Sequence, residues 1–149
     1  MEQKIIRGKR ILLVDDEPSV REAFRMMLKF DGHSVTEAND GAEALDLFIR
    51  GQIDLVVTDF EMPVMKGNEL AVRIKKLAPK QPILMITAHG KELGDSENPV
   101  GGILNKPFTL DDLRGAIAKL LSNKRIPSRS ESLKPAITPS MLSPAPSIT

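Results

Sequence analysis

The chain lacks cysteine, long apolar runs and any large excess of one charge. Its 149 residues contain no Cys, which excludes a disulfide framework and a thiolate metal site. The apolar runs are far shorter than the roughly 20 residues that cross a bilayer. The charged start, residues 1–10, precedes an apolar run of only four residues, which is too short for a secretory signal. We therefore expect a soluble, cytoplasmic protein with no membrane partner.

The balance of charge also limits the class of partner. A net charge of +1 gives no basic excess of the kind that usually marks a nucleic-acid-binding face. We therefore expect no nucleic acid among the partners. The composition, 41% hydrophobic and 28% charged, is typical of a globular domain with a single core.

Short apolar runs alternate with amphipathic stretches from residue 10 to about residue 123. This alternation is typical of repeated βα units and therefore of an α/β fold with a parallel sheet. Five strands and about five helices fit. The expected strands are 10–14, 34–38, 54–58, 83–86 and 102–104, and the clearest expected helices are 19–30, 41–50, 68–77 and 110–121. Thr109, Asp111 and Asp112 supply a cap and negative charge at the start of the last helix.

Two segments depart from this pattern. Residues 89–102 contain four glycines and a proline, so the fourth helix is expected to be short or irregular. Residues 125–149 are rich in Pro and Ser and bury too little apolar surface to offset the entropy of ordering. We therefore expect a folded domain over residues 1–124 and a disordered tail over residues 125–149.

Polar residues of particular kinds stand at the ends of four expected strands. They are Asp15 and Asp16, Asp59, Thr87 and Lys106. In an open α/β sheet the ligand crevice lies beyond the carboxyl ends of the strands. These residues, distant in sequence, are therefore expected to meet at one edge of the sheet.

The chemistry of this set indicates a metal and a phosphoryl group. Three adjacent carboxylates, Asp15, Asp16 and Asp59, repel one another unless a cation or protons neutralise them. Oxygen ligands without His or Cys favour Mg²⁺. A carboxylate beside Mg²⁺ can act as a nucleophile toward a phosphoryl donor. Lys106 offers a positive charge and Thr87 a hydroxyl to the phosphoryl oxygens.

With their neighbours, these residues resemble the receiver domain of two-component response regulators over about residues 8–123. The matching motifs are Asp15-Asp16-Glu17-Pro18, Thr58-Asp59-Phe60-Glu61-Met62-Pro63 with Gly67, Thr87-Ala88 and Lys106-Pro107-Phe108. The resemblance implies a flavodoxin-like, doubly wound, five-stranded parallel sheet. It also implies the strand order 2-1-3-4-5 and helices on both faces of the sheet.

The resemblance further implies a role for each residue of the set. Asp59 accepts a phosphoryl group from a histidine kinase or a histidine phosphotransfer protein. Mg²⁺ is held by Asp16, Asp59 and the backbone carbonyl of Glu61, with Asp15 acting mainly through water. Lys106 and Thr87 contact the phosphoryl group, and the peptide bond after Lys106 is cis.

The implied function is phosphorylation-dependent signalling. Phosphorylation alters contacts with a downstream protein target whose identity the sequence does not give, and receivers can form homodimers when phosphorylated. The protein is not expected to be an enzyme beyond its own phosphoryl transfer and autodephosphorylation. The 26 residues after Asn123 are too few for an effector domain, so we expect a stand-alone receiver.

The chain departs from the family pattern around the switch. Receivers usually carry an aromatic residue three positions before the Lys, where this chain has Ile103, so the familiar two-position movement of that side chain is not expected. Glu61 and His89 occupy positions at the rim of the site, with Ala88 beside Thr87. We hypothesise that Glu61 and His89 set the dephosphorylation rate.

Two other functions fit part of the pattern. An interaction scaffold would keep the receiver fold without using the acceptor, and Ile103 favours this alternative modestly. A Mg²⁺-dependent aspartyl-phosphate hydrolase resembling the haloacid dehalogenase-like phosphatases is a weaker alternative. Those enzymes place the nucleophile after the first core strand and usually carry a second Asp where this chain has Glu61.

Overall fold

Residues 5–88 and 101–123, which a computed structural model of the chain describes, form a five-stranded parallel sheet with helices on both faces. The strand order is β2-β1-β3-β4-β5. The strands are β1 (Arg10–Val14), β2 (Ser34–Ala38), β3 (Leu55–Asp59), β4 (Ile83–Thr87) and β5 (Gly102–Asn105). The helices in this part of the chain are α1 (Pro18–Phe30), α2 (Gly41–Arg50), α3 (Gly67–Leu77) and α4 (Leu110–Asn123). The predicted fold class and strand order are confirmed.

The central strands are buried on both faces, and alternate residues point to opposite faces. In β1, Ile11 and Leu13 pack with Phe24 of α1 and Leu113 of α4. The alternate strand residues belong to a second core cluster, which includes residues of α2 and α3. Its members on β1, β3, α2 and α3 include Leu12, Val14, Val56, Ala44, Leu70 and Ile74. The two apolar clusters therefore hold the described helices on opposite faces of the sheet, α1 and α4 on one face and α2 and α3 on the other.

The register of the sheet brings the carboxyl ends of the strands to one edge. Val14 is the register partner of Thr58 across β1 and β3. Asp59 is opposite Ile86, and Thr87 is opposite Asn105. Because all of these pairings are parallel, residues that end β1, β3, β4 and β5 lie side by side.

The start of α4 is capped by the side chain of the residue immediately before it. Thr109 Oγ1 accepts a hydrogen bond from the Asp112 N–H at 3.0 Å, and Asp112 Oδ2 accepts one from the Thr109 N–H at 2.9 Å. This reciprocal pair satisfies two backbone donors that the start of α4 would otherwise leave free. It agrees with the cap that the sequence predicts at Thr109.

The element boundaries differ from the sequence prediction by one or two residues. Strands β3, β4 and β5 each end one residue later than expected, so Asp59 and Thr87 are the last residues of their strands rather than the first residues after them. Helix α1 begins at Pro18, where a residue without an N–H costs no helical hydrogen bond.

Some expectations fall outside the part of the chain that the structure describes. These are the short or irregular fourth helix, which would lie within residues 89–100, the side chain of His89, and the tail over residues 125–149. Within residues 5–88 and 101–123, no helix combines the length and apolar character that a membrane crossing requires.

Candidate functional site

The structure brings the three predicted carboxylates together at the edge of the sheet. Asp15 and Asp16 follow β1 directly, and Asp59 ends β3. One carboxylate oxygen of each lies within 4.8 Å of the other two. Asp15 and Asp59 are buried, whereas Asp16 is partly exposed. Parallel pairing of β1 with β3 explains how residues more than forty positions apart become neighbours.

Lys106 extends toward this cluster from the end of β5. Its Nζ lies 3.2 Å from Asp59 Oδ1. Its backbone N–H donates to the Thr87 carbonyl at 2.9 Å, which continues the pairing of β4 with β5. The Lys106–Pro107 peptide bond is cis, in agreement with what the family resemblance implies. Phe108 then packs against Phe24 of α1 with ring centroids 5.0 Å apart, so both sides of the Lys106 backbone are fixed.

Asp59 is a buried carboxylate with one poorly satisfied oxygen. Its side chain is 6% exposed, and within the described residues Oδ1 has no hydrogen-bond donor in proper alignment, although the Lys106 ammonium is at ion-pair distance. Burial raises the pKa of Asp59 to about 6, and the charges of Asp15 and Glu61 add to this rise while Lys106 opposes it. An oxygen in this state is available to a cation or a reaction partner.

The pKa values of Asp15 and Lys106 are likewise set by burial and by the charges of their neighbours. Burial raises the pKa of Asp15, although the Glu17 N–H donates to its Oδ1 at 2.9 Å and Lys106 lies nearby. Burial opposes the charge of Lys106, but the Asp59 carboxylate together with Asp15 and Glu61 outweighs it and raises the Lys106 pKa. Lys106 is therefore held in its positively charged form beside a carboxylate whose pKa is raised to about 6.

Arg21 is a residue of this region that the sequence reasoning missed. It lies in the first turn of α1, and its Nη1 donates to the Asp15 carbonyl at 2.6 Å. Its Nε donates to Glu37 of β2 at 2.9 Å. The guanidinium thereby ties the end of β1 to α1 and β2. The contact joins a side chain to a backbone carbonyl, and no sequence motif indicates such a pairing.

Thr87 and its neighbours form the other side of the site. Thr87 is fully buried, and its hydroxyl donates to Glu61 Oε2 at 3.2 Å. Ala88, the next residue, is exposed. Ile103 is partly buried and packs against the core cluster that contains Met85. The predicted rim residue His89 lies outside the described residues.

The loop between Asp59 and α3 has a constrained backbone. A Cβ atom on Gly67 would collide with the Asp59 carbonyl, so only glycine lets α3 begin this close to the end of β3. Val64 has a φ of 69°, a left-handed conformation that is unfavourable for a β-branched residue. The close approach explains the glycine of the Asp59 to Gly67 motif.

The arrangement fits a divalent cation. Three carboxylate oxygens within 4.8 Å of one another form a hard-oxygen ligand set, which Mg²⁺ prefers. The unaligned Oδ1 of Asp59 offers a lone pair to such an ion. Asp16 is partly exposed, which leaves access for water ligands. The cluster of Asp15, Asp16 and Asp59 is therefore a chemically suitable Mg²⁺ site.

Comparison with known proteins groups this chain with response regulator receiver domains. The family model described as "Response regulator receiver domain" matches residues 11–118. Response regulator MprA of Mycobacterium leprae is 35% identical over 138 residues, which cover 91% of this chain and 60% of that protein. The chain thus spans between half and about three fifths of the length of the first MprA relatives that it matches.

Solved structures give the same grouping. Response regulator TrrA from Thermotoga maritima, crystallised in complex with Mg²⁺ and BeF, is 38% identical with a TM-score of 0.72 over 76% of this chain and 99% of that one. A chain from the complex of histidine kinase ThkA with TrrA is also 38% identical, with a TM-score of 0.70 over 76% of this chain and 98% of its own length.

Proposed function

The chain belongs to the response regulator receiver family, and from this premise we propose that Asp59 accepts a phosphoryl group in a Mg²⁺-dependent step. The observation that carries the proposal is the state of Asp59. Among residues 5–88 and 101–123, its buried Oδ1 has no aligned donor. This oxygen lies 3.2 Å from the Lys106 ammonium, and the carboxylates of Asp15 and Asp16 are close by.

The transfer step is a displacement at phosphorus. A carboxylate oxygen of Asp59 forms the new P–O bond while the bond from phosphorus to the donor atom breaks, and the donor leaves with the electron pair of that bond. With a phosphohistidine donor, the broken bond is P–N. The ring nitrogen keeps the electron pair, and the ring takes up one proton, so that neutral imidazole is released. We propose Lys106 and the Thr87 hydroxyl as the contacts to the phosphoryl oxygens.

The proposed metal ligands are Asp16, Asp59 and the backbone carbonyl of Glu61, with Asp15 acting through water. When bound, Mg²⁺ would offset the negative charge of the carboxylates and of the incoming phosphoryl group. The protein itself contributes the burial that keeps Asp59 reactive and the positive charge of Lys106. These roles agree with the electrostatics of Asp59, whose pKa is raised by burial, Asp15 and Glu61 and lowered by Lys106.

We propose a histidine kinase or a histidine phosphotransfer protein as the donor. The similarity to TrrA, whose structure was solved with histidine kinase ThkA, supports this class of partner. The product would signal through altered protein contacts, including homodimerisation. The receiver family match favours this function over a haloacid dehalogenase-like hydrolase, since Asp59 ends the third strand rather than the first.

Intact-mass spectrometry after incubation with acetyl phosphate and Mg²⁺ tests the proposal. We expect wild type to gain one phosphoryl mass, and Asp59→Asn to gain none. The matched control is Asp54→Asn. Asp54 directly precedes β3, at the end of the strand opposite to Asp59, and accepts a hydrogen bond from the Arg10 N–H. This variant should gain as much as wild type. An unmodified wild type would support the non-phosphorylated scaffold instead, whereas equal labelling of Asp59→Asn would show that Asp59 is not the acceptor.

The rim hypothesis is tested on the phosphorylated protein. We propose that Glu61 and His89 set the rate at which the aspartyl phosphate is lost. Release of inorganic phosphate would be compared for wild type, Glu61→Ala and His89→Ala. Unchanged rates in both variants would contradict the hypothesis.

A further inference from the structure

The hydroxyl of Thr87 is engaged with a carboxylate other than the acceptor. Thr87 ends β4 and is fully buried. Its Oγ1 donates to Oε2 of Glu61, two residues after Asp59, across 3.2 Å. The bond joins two segments that are 26 residues apart in sequence. It therefore depends on the tertiary fold and links the loop after β3 to the end of β4.

This bond competes with the contact that the proposed function needs. A Thr hydroxyl has a single hydrogen to donate. While that hydrogen points to Glu61, it is not available to an oxygen of a phosphoryl group on Asp59. Hydrogen bonds to ionised acceptors are stronger than neutral ones, so Glu61 is a substantial competitor for the hydroxyl.

We propose that Glu61 is a positioning residue that holds the Thr87 hydroxyl in the unphosphorylated arrangement and so opposes the phosphorylated one. Phosphorylation must break the bond between Glu61 and Thr87 before the hydroxyl can contact the phosphoryl group. The inference rests on the proposed function and deepens it, because it names a residue that regulates the switch at that site.

Charge repulsion by Glu61 would also disfavour a phosphoryl group, and it has to be separated from the effect of the hydrogen bond. The Glu61 charge reaches Asp59, since it contributes to the raised pKa of that carboxyl. Repulsion acts on any anion at Asp59 whether or not Thr87 has a hydroxyl. Competition for the hydroxyl, in contrast, disappears when the hydroxyl is removed. A double-mutant cycle therefore distinguishes the two effects.

The probe is beryllofluoride with Mg²⁺, a noncovalent mimic of the phosphoryl group, titrated into the full chain by calorimetry. Calorimetry suits this protein because the chain has no Trp or Tyr to report by fluorescence. The variants are Glu61→Ala, which removes the acceptor, and Glu61→Gln, which keeps a neutral acceptor. Each is measured with Thr87 present and with Thr87→Val, which keeps the shape and removes the hydroxyl.

We expect Glu61→Ala to tighten beryllofluoride binding about tenfold with Thr87 present, as the loss of one competing charged hydrogen bond predicts. Glu61→Gln should have an intermediate effect. In the Thr87→Val background, the same Glu61 changes should alter affinity by clearly less than they do with Thr87 present, because only the charge repulsion remains. Thr87→Ser, which retains the hydroxyl, should preserve the coupling.

Two results would overturn the inference. One is equal tightening by Glu61→Ala in both Thr87 backgrounds, which would assign the whole effect to charge. The other is unchanged or weaker binding by Glu61→Ala in the presence of Thr87. A different result would overturn the proposed function itself: wild type that fails to bind beryllofluoride with Mg²⁺, or Asp59→Asn that binds it equally well. Circular dichroism of each variant shows that it is folded.

Discussion

Two buried aspartates of this protein have opposite electrostatic surroundings. Asp31 follows α1, and both of its carboxylate oxygens accept hydrogen bonds from the Arg114 guanidinium, at 2.8 and 2.9 Å. Asp59 ends β3 and faces the Lys106 ammonium, and no residue in the described part of the chain is an aligned donor to its Oδ1. The two side chains are equally hidden, each 6% exposed. Burial alone therefore does not decide how a carboxylate behaves.

The difference lies in the partner. The two hydrogen bonds from Arg114 lower the pKa of Asp31 despite its burial, because a planar guanidinium matches both oxygens of a carboxylate. Around Asp59, burial outweighs the single ammonium and raises the pKa to about 6. Asp31 thus forms a structural ion pair with Arg114 that connects the end of α1 to α4. Asp59, in contrast, is a buried carboxylate with a raised pKa.

Removal of the positively charged side chain should distinguish the pair of Asp31 and Arg114 from the pair of Asp59 and Lys106 most strongly. Arg114→Ala should lower the free energy of unfolding by about 3 kcal/mol, because it leaves a buried charge without its partner. Lys106→Ala should lower it by about 1 kcal/mol, since Lys106 is partly exposed and Asp59 can take up a proton instead. Urea denaturation at pH 7.5 measures both values. Equal losses would contradict the distinction between the pairs.

Neutralising each aspartate should give effects of opposite sign. In the absence of divalent cations at pH 7.5, Asp59→Asn should raise the free energy of unfolding by about 2 kcal/mol, because it removes a charge whose burial is unfavourable. Asp31→Asn should lower it, because Arg114 loses its ionised acceptor. The two variants differ from wild type by the same chemical change, so each is the control for the other. A loss of stability in both would show that Asp59 is also a structural ion pair.

The same two variants should respond to pH in opposite directions. The folded pKa of Asp59 is raised from 3.8 to about 6, so its stabilising contribution is present in acid and is lost as the pH rises through about 6. The advantage of Asp59→Asn over wild type should therefore grow by about 1 kcal/mol per pH unit between pH 4 and pH 6.

The pKa of Asp31 is lowered, so its contribution is present above the ordinary Asp value and is lost as the pH falls. The deficit of Asp31→Asn should accordingly shrink in acid. Denaturation of both variants and wild type across this range gives the two difference curves. Curves with the same slope would show that the two carboxylates do not differ as described.

Addition of Mg²⁺ should stabilise the protein through the carboxylates around Asp59 and not through the pair of Asp31 and Arg114. At ten times its Kd, Mg²⁺ should raise the free energy of unfolding of wild type by about 1.4 kcal/mol. Asp16→Asn and Asp59→Asn should lose most of this gain, because each removes an oxygen ligand from the cluster. Arg114→Ala should keep the full gain despite its lower stability. Thermal unfolding with and without Mg²⁺ tests this, and a gain retained in Asp59→Asn would place the ion elsewhere.

Much of the fold could be predicted from the pattern of apolar residues. All five predicted strands and the four predicted helices outside the glycine-rich segment occur within two residues of their expected bounds. The prediction worked because strands and helices have different periods of burial, and because Pro and Gly mark the joins. The position of Asp15, Asp16, Asp59, Thr87 and Lys106 at one edge followed from the direction of parallel strands.

Contacts between distant side chains could not be predicted in this way. The pair of Asp31 and Arg114 is separated by 83 residues, and the bond between Thr87 and Glu61 by 26. The contact of Arg21 with the Asp15 carbonyl also has no sequence signal. The contacts of Arg114 and Arg21 depend on how helices are rotated against the sheet, and the contact of Glu61 depends on the path of the loop after β3. Local sequence patterns fix neither.

The sequence by itself determined which residues meet at the carboxyl edge of the sheet, since strand order and direction carry them there. It also determined the chemical types available at that edge: carboxylates, one hydroxyl and one ammonium. Only the tertiary structure decided that both oxygens of Asp31 are bonded to Arg114, whereas Oδ1 of Asp59 has no aligned donor among the described residues. It also decided that the Thr87 hydroxyl points to Glu61. The physical reason is that burial and hydrogen-bond alignment are set by neighbours from other parts of the chain.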